Sequence, residues 1–161
     1  MLKAVNDLDI VYVPIGLGSG ICGMIAVRDA LKLKTKVVGV VSAHASSYAK
    51  SFTSKSPVES PVSTKIADGM ACRVPEQSAL ELIWEGVERI VQVSDEEIAE
   101  AMRILHECTH NVFEGSGAAA YAAVMQESSS IKGCKIAVIA SGGNIDRDVY
   151  AAVLNGETFA A

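Results

Sequence analysis

The chain is predicted to form an α/β fold, an open and mainly parallel sheet with helices on both faces. Three observations carry this expectation. Short apolar runs alternate with helix-like segments along the whole length, the runs are rich in β-branched residues, and the first strand-to-helix junction is a glycine loop. With 161 residues and 50% hydrophobic content the sequence can bury one core. Residues 1–161 are read as a single domain, because no repeat is visible and no linker is long enough to separate two.

The strands are expected at residues 10–13, 36–41, 89–93 and 135–140, each buried on both faces. Helices are expected over residues 21–33, 78–86, 95–111, 118–126 and 146–154. The one beginning at Asp95 has a capping box, since the Ser94 hydroxyl accepts from the amide three residues on and Glu97 reaches back. Its spacing puts Ile98, Met102, Leu105, Thr109 and Val112 on one face, with His106 and His110 beside Arg103 on a solvated flank. The serine-rich stretch 42–62, with Pro57 and Pro61, reads as a surface loop with helix, if any, near Tyr48. A four-stranded sheet is small for this architecture, which points to strands belonging to a larger parent sheet.

Composition removes several function classes. A formal charge of −5, a pI near 5.2 and only 5% aromatic residues leave neither a basic face nor stacking platforms, so nucleic acid is not expected as a partner. The N-terminal residues lack a basic stretch followed by an apolar one, and no apolar segment approaches spanning length, so neither secretion nor membrane insertion is expected. Cys22, Cys72, Cys108 and Cys134 form no C-x-x-C pair and read as buried or half-buried thiols of a cytoplasmic protein.

The most informative junction is Ile15-Gly16-Leu17-Gly18-Ser19-Gly20, which follows a strand and opens a helix. Glycines allow positive φ and leave no Cβ in the way, so consecutive amides can aim at one anion beside a helix N-terminus. The expected ligand carries a phosphate. Gly18 to Gly23 also satisfies G-x-G-x-x-G, but the dinucleotide reading needs an acid about 20 residues on, and Val40-Val41-Ser42-Ala43-His44 offers none. His106-Glu107-Cys108-Thr109-His110 matches H-E-x-x-H literally. The adjacent Arg103 disfavours a dication, and His44 is the sole remaining histidine, so no zinc is expected. Ser19 and Ser116 lack the first glycine of a nucleophile elbow, where Leu17 and Glu114 stand. Two more glycine turns, residues 113–118 and 140–144, are expected on the same sheet edge as the first loop.

Taken in chain order, six segments carry a resemblance. They are residues 13–20, Val37-Val38-Gly39-Val40, Lys65-Ile66-Ala67-Asp68-Gly69-Met70, Val93-Ser94-Asp95-Glu96-Glu97, residues 113–119 and Ser141-Gly142-Gly143-Asn144. Together they resemble the pyridoxal-phosphate (PLP) enzymes of the tryptophan synthase β type (fold type II), particularly the threonine and serine dehydratases, also called ammonia-lyases. The chain is similar to the C-terminal half of such an enzyme, the later part of its large domain. The resemblance implies PLP as cofactor, with its phosphate held by Gly16, Leu17, Gly18, Ser19 and Gly20; Leu17 and Ser19 depart from the family's commonest run of four glycines. It places Ser141 on the pyridine nitrogen, where a neutral hydroxyl leaves that nitrogen largely unprotonated, and Glu114 near the cofactor as a positioning or proton-handling group.

The implied chemistry is loss of the α-proton and then the β-hydroxyl of a small hydroxy amino acid, ending in a 2-oxo acid and ammonia. Metal sites of some such dehydratases use two acids; Val41 and Ser47 stand at those positions here, so no metal is expected there. The lysine that binds the cofactor covalently sits in an S-x-K-x-R-G type motif of the family, and no lysine here fits it. Lys55, for one, lies in Thr53-Ser54-Lys55-Ser56-Pro57. The chain is therefore expected to be inactive alone, and to form a homo-oligomer or to pair with a missing N-terminal half. A non-catalytic interaction half-domain, or an NAD(P)-binding Rossmann-like domain, is the alternative.

Overall fold

The computed structural model describes residues 1–5, 7–157 and 159. Ile10–Pro14 (β1), Lys36–Ser42 (β2), Arg89–Val93 (β3) and Ile136–Val138 (β4) form one sheet in the order β3-β2-β1-β4, with every neighbouring pair parallel. Six helices join and cover them: Ser19–Ala30 (α1), Ser47–Ser54 (α2), Gln77–Gly86 (α3), Asp95–Thr109 (α4), Gly115–Gln126 (α5) and Arg147–Leu154 (α6). The α/β fold with a parallel sheet is thus the one expected.

The two central strands are apolar on both faces for a physical reason. Val11, Val13, Val37, Val38, Val40 and Val41 are at most 1% exposed, because helices close both sides of the sheet. The helix α1 packs on α3 so closely that a Cβ at Gly86 would stand 2.5 Å from Ile25 Cγ2. On α5, Ala118, Ala119, Ala120, Ala122 and Ala123 are all buried, and their small side chains let it lie against both the sheet and α4. The capping box forms as expected: Glu97 N donates to Ser94 Oγ at 3.2 Å, and Ser94 N donates to Glu97 Oε2 at 2.7 Å.

Several local expectations are corrected. The last strand is three residues long and only half-buried, since it has β1 as its single neighbour and lies at the edge. The stretch 42–62 is a surface loop only in part, exposed over residues 53–57, and the helix anticipated near Tyr48 is present and largely buried. The stretch contains α2, in which Ser47, Tyr48, Ala49 and Ser51 are buried. Its serines are compatible with burial because each finds a partner: Ser47 Oγ donates to Cys72 O at 2.7 Å, and Val58 N donates to Ser51 Oγ at 2.8 Å. Cys108 and Cys134 are exposed, whereas Cys72 is buried and Cys22 half-buried. On α4 the buried face is Ile98, Ala101 and Met102; Thr109 is exposed, and Val112 lies beyond the helix end at 49% exposure.

One polar cluster crosses the base of the sheet. The Tyr12 hydroxyl donates to Glu127 Oε2 at 2.6 Å, while Arg89 Nε donates to Glu127 Oε1 at 2.8 Å and Arg89 Nη2 reaches the Tyr12 oxygen at 3.1 Å. Burial, reinforced by the carboxylate acceptor, pushes the Tyr12 phenol from 10.0 up to about 12. The folded chain therefore holds this proton more tightly than the unfolded chain, so the stabilisation is complete below pH 10.0 and is lost as pH rises toward about 12. Urea midpoints followed across that window should fall with pH in the wild type and fall less steeply in Tyr12→Phe. Parallel slopes would show that Tyr12 does not carry the effect.

Candidate cofactor site

Parallel pairing puts the carboxyl ends of all four strands on one edge, so the loops that follow β1 and β4 emerge together. The pairing continues past β4, where Ile139 N donates to Tyr12 O at 2.9 Å. From there the two turns are linked through close contacts of their glycines. A Cβ at Gly16 would overlap the Gly69 carbonyl oxygen, a Cβ at Gly69 would lie 2.9 Å from Ser116 Oγ, and a Cβ at Gly142 would lie 2.5 Å from Glu114 Oε1. The first glycine loop, the 65–70 segment, the Glu114 turn and the Ser141 turn thus converge on one region.

The first loop has the chemistry of an anion cradle. Among the described residues, the N–H groups of Gly16, Leu17, Gly18, Ser19 and Gly20 have no protein acceptor. The last two belong to the first turn of α1, whose amides find no partner within the helix and whose dipole favours negative charge. Gly18 has φ 97°, in the left-handed region, and a Cβ there would stand 2.6 Å from Ala79 Cβ. This is a place where the backbone requires glycine. The Leu17 side chain points outward, 70% exposed, so its departure from glycine costs the loop no packing space. Donors of this number and arrangement fit a phosphate dianion.

At the other turn Ser141 is exposed and its hydroxyl has no partner among the described residues, which suits it to meet a ligand acceptor or donor. Glu114 holds this turn in place: Asn144 N donates to Glu114 Oε2 at 3.0 Å, and Glu114 N donates to Gly142 O at 3.2 Å. Glu114 is also the N-cap of α5, which begins at Gly115, three residues before the expected start. A Cβ at Gly117 would overlap Ser141 O, so only glycine lets α5 start this close to the Ser141 turn.

A pocket of about 420 Å³ lies between these elements, lined among others by Lys65, Asp68, Gly69, Glu114, Ser116 and Asn144. A larger cleft of about 1310 Å³ opens at the opposite end of the strands beside Ile10, Lys36 and Arg89. Ligands of open parallel sheets gather at carboxyl ends, and the smaller pocket is lined by Gly69, Glu114 and Asn144, which pack against the two glycine turns, although Gly16 to Gly20 and Ser141 do not themselves line it.

Three contributors had no role in the sequence reading. Asp95 is fully buried and accepts from Thr64 Oγ1 at 2.7 Å and Lys65 N at 2.6 Å, which pins the segment that carries Gly69. Gly69 supplies the close backbone approach to Gly16. Tyr48 lies under the first loop and donates to Leu17 O at 2.8 Å. The 65–70 motif was the available signal for Gly69, whereas nothing in sequence spacing points to Tyr48.

Other singled-out residues lie elsewhere. Lys55 caps α2 with φ 54° and sits 4.4 Å over the Phe52 ring. Val41 is buried, and the Ser47 hydroxyl is engaged with Cys72 O. The helix α4 ends at Thr109, and His110 is its C-cap in the left-handed conformation at φ 56°, its N–H donating to His106 O at 2.8 Å. His106 is half-buried rather than fully solvated. Its ring meets Tyr150 edge-on with centroids 5.6 Å apart.

A parallel sheet whose carboxyl edge carries an unsatisfied amide cradle and an opposing hydroxyl turn defines an α/β protein built for a phosphorylated cofactor. The chain belongs to the family of pyridoxal-phosphate dependent enzymes, which its sequence matches over residues 1–142. That membership favours PLP over a dinucleotide at the glycine loop. The chain is 32% identical over 155 residues to the L-threonine ammonia-lyase of Thermotoga maritima, covering 96% of this chain and 38% of that protein. It is 30% identical over 157 residues to the L-threo-3-hydroxyaspartate ammonia-lyase of Saccharomyces cerevisiae, covering 98% of this chain and 48% of the relative. The processed form of threonine deaminase isoform 2 from Solanum lycopersicum superposes with a TM-score of 0.88 at 28% identity, over 95% of this chain and 45% of that one. The chain therefore spans less than half the length of these relatives. Among the described residues, no helix is long and apolar enough to cross a membrane.

Proposed function

We propose that residues 1–161 form a single α/β domain, the cofactor-holding part of a cytoplasmic threonine or serine dehydratase-like lyase. The reading rests above all on the run of amides from Gly16 to Gly20 that have no protein acceptor among the described residues, on the same sheet edge as Ser141. When bound, PLP supplies the electron sink for elimination and deamination of a hydroxy amino acid. The backbone from Gly16 to Gly20 holds its phosphate, and the Ser141 hydroxyl meets its pyridine nitrogen as a neutral partner. Glu114 orients the Ser141 turn through its bond to Asn144 N, and stands close enough to that turn to exchange a proton with a group bound there.

These residues fit the phosphate and ring nitrogen of PLP, but they do not include the family's covalent lysine motif. The chain alone is accordingly a binding unit without turnover. The half-exposed edge of β4 is where a second copy or a lysine-bearing N-terminal half would extend the sheet.

Titration with PLP and with pyridoxal, which lacks the phosphate, tests the reading. The chain should bind PLP at least about tenfold more tightly than pyridoxal, because charge-assisted bonds from the loop amides act only on the phosphate. Equal affinities would mean that the loop does not hold it.

A further inference from the structure

We propose that the buried hydroxyl of Tyr48 is a positioning residue for the phosphate loop, locking the Leu17–Gly18 peptide so that the Gly18 amide faces the anion. This deepens the cofactor reading above and rests on it.

The geometry begins with a planar trans peptide, in which C=O and N–H point in opposite directions. No peptide bond among the described residues is cis. The Leu17 carbonyl oxygen accepts from the Tyr48 hydroxyl at 2.8 Å. The N–H of the same peptide unit, on Gly18, is thereby turned away from Tyr48 toward the open side of the loop. That N–H has no protein acceptor among the described residues. Rotating this peptide by half a turn would bring the carbonyl oxygen to the cradle, where it would repel a phosphate and remove a donor.

Tyr48 is itself held at several points. Its oxygen also accepts from Glu76 N at 3.1 Å, the residue that caps α3, so the hydroxyl proton is directed to Leu17 O. The ring is 1% exposed, and it forms the floor below Gly18, where an added Cβ would meet Tyr48 Oη at 3.3 Å. Burial also raises the phenol's pKa, which keeps it a donor at neutral pH. The helix that carries it is anchored from outside, since Trp84 Nε1 donates to Ser51 O at 3.0 Å and Ser51 Oγ accepts from Val58 N. A carbonyl on a strand-to-helix turn with positive φ at its next residue is thus fixed by a side chain 31 positions later.

The test uses the 161-residue chain and three probes: PLP, pyridoxal and inorganic phosphate. Tyr48→Phe keeps the ring and removes the hydroxyl. Its affinity for PLP and for phosphate should fall roughly tenfold, the size expected for one misdirected charge-assisted donor, while pyridoxal affinity stays unchanged. Ser51→Ala is the control for general loosening of α2, because it removes the Val58 tether without touching the loop, and it should leave the PLP-to-pyridoxal ratio as in wild type. If wild type fails to prefer PLP to pyridoxal, the cofactor reading itself falls. If wild type does prefer PLP, the positioning role is overturned by an unchanged ratio in Tyr48→Phe, or by an equal loss in Ser51→Ala. A Tyr48→Phe chain that does not fold would overturn it too, since the hydroxyl would then be structural.

Discussion

Gly18→Val should abolish measurable phosphate-dependent PLP binding, with a loss of roughly a hundredfold or more. Two penalties act at this residue. Its φ of 97° is forbidding for a β-branched side chain, and its Cβ would be driven to 2.6 Å from Ala79 Cβ on α3. Strain of this kind costs about 1–3 kcal/mol and the overlap a similar amount. The chain relieves both by shifting the loop, which rotates the amides that point at the anion. About 3 kcal/mol of misalignment is a hundredfold in affinity. Gly23→Ala is the matched control: it lies one turn further along α1, has nothing within 4 Å of its Cβ position, and should stabilise the helix by about 0.5–1 kcal/mol. Equilibrium dialysis with PLP, beside melting curves for both variants, separates loss of binding from loss of fold. Wild-type affinity in a folded Gly18→Val chain would remove the cradle from the account.

Ammonia release from L-threonine or L-serine by this chain alone should not rise above the rate of PLP in buffer, several orders of magnitude below a competent lyase. The expectation follows from the missing S-x-K-x-R-G motif. Lysines do occur near the edge, and Lys65 lines the pocket with Glu114 and Ser116. It lies between α2 and residues 68–70, outside any S-x-K-x-R-G motif, and its backbone N–H donates to Asp95. Turnover that disappears in Lys65→Ala would show that this residue replaces the missing nucleophile. Supplying an N-terminal half that carries the lysine motif should restore release if the β4 edge accepts it. No gain from that half would leave the chain as a binding unit only.

The main elements were legible because their signals are local. Runs such as Val37 to Val41 have no polar residue to face water, which only a strand covered on both sides tolerates. Ser94 and Glu97 cap α4 through bonds three residues apart, and such short-range geometry is written in the spacing. The serine-rich stretch failed for the opposite reason. Its composition matches that of exposed turns, and its helical part is buried because Cys72 O and Trp84, from distant positions, join the nearby Val58 N in satisfying its polar groups. The start of α5 was missed because Gly115 and Gly117 suggest a turn, yet close contacts with Ile66 and Ser141 are what require glycine there. His106 shows the same limit, since its partner Tyr150 is 44 residues away on α6 (150 minus 106).

Sequence alone determined the parallel α/β class and the family, and it singled out the glycine loop proposed to hold the phosphate, because each depends on residue types at short spacing. Only the tertiary structure decided how the site is assembled. It set Gly69 against Gly16, bound Asn144 to Glu114 and placed the Tyr48 hydroxyl beneath Leu17. Those contacts join residues from 30 to over 50 positions apart, and which of them meet depends on how strands and helices pack rather than on any pattern along the chain.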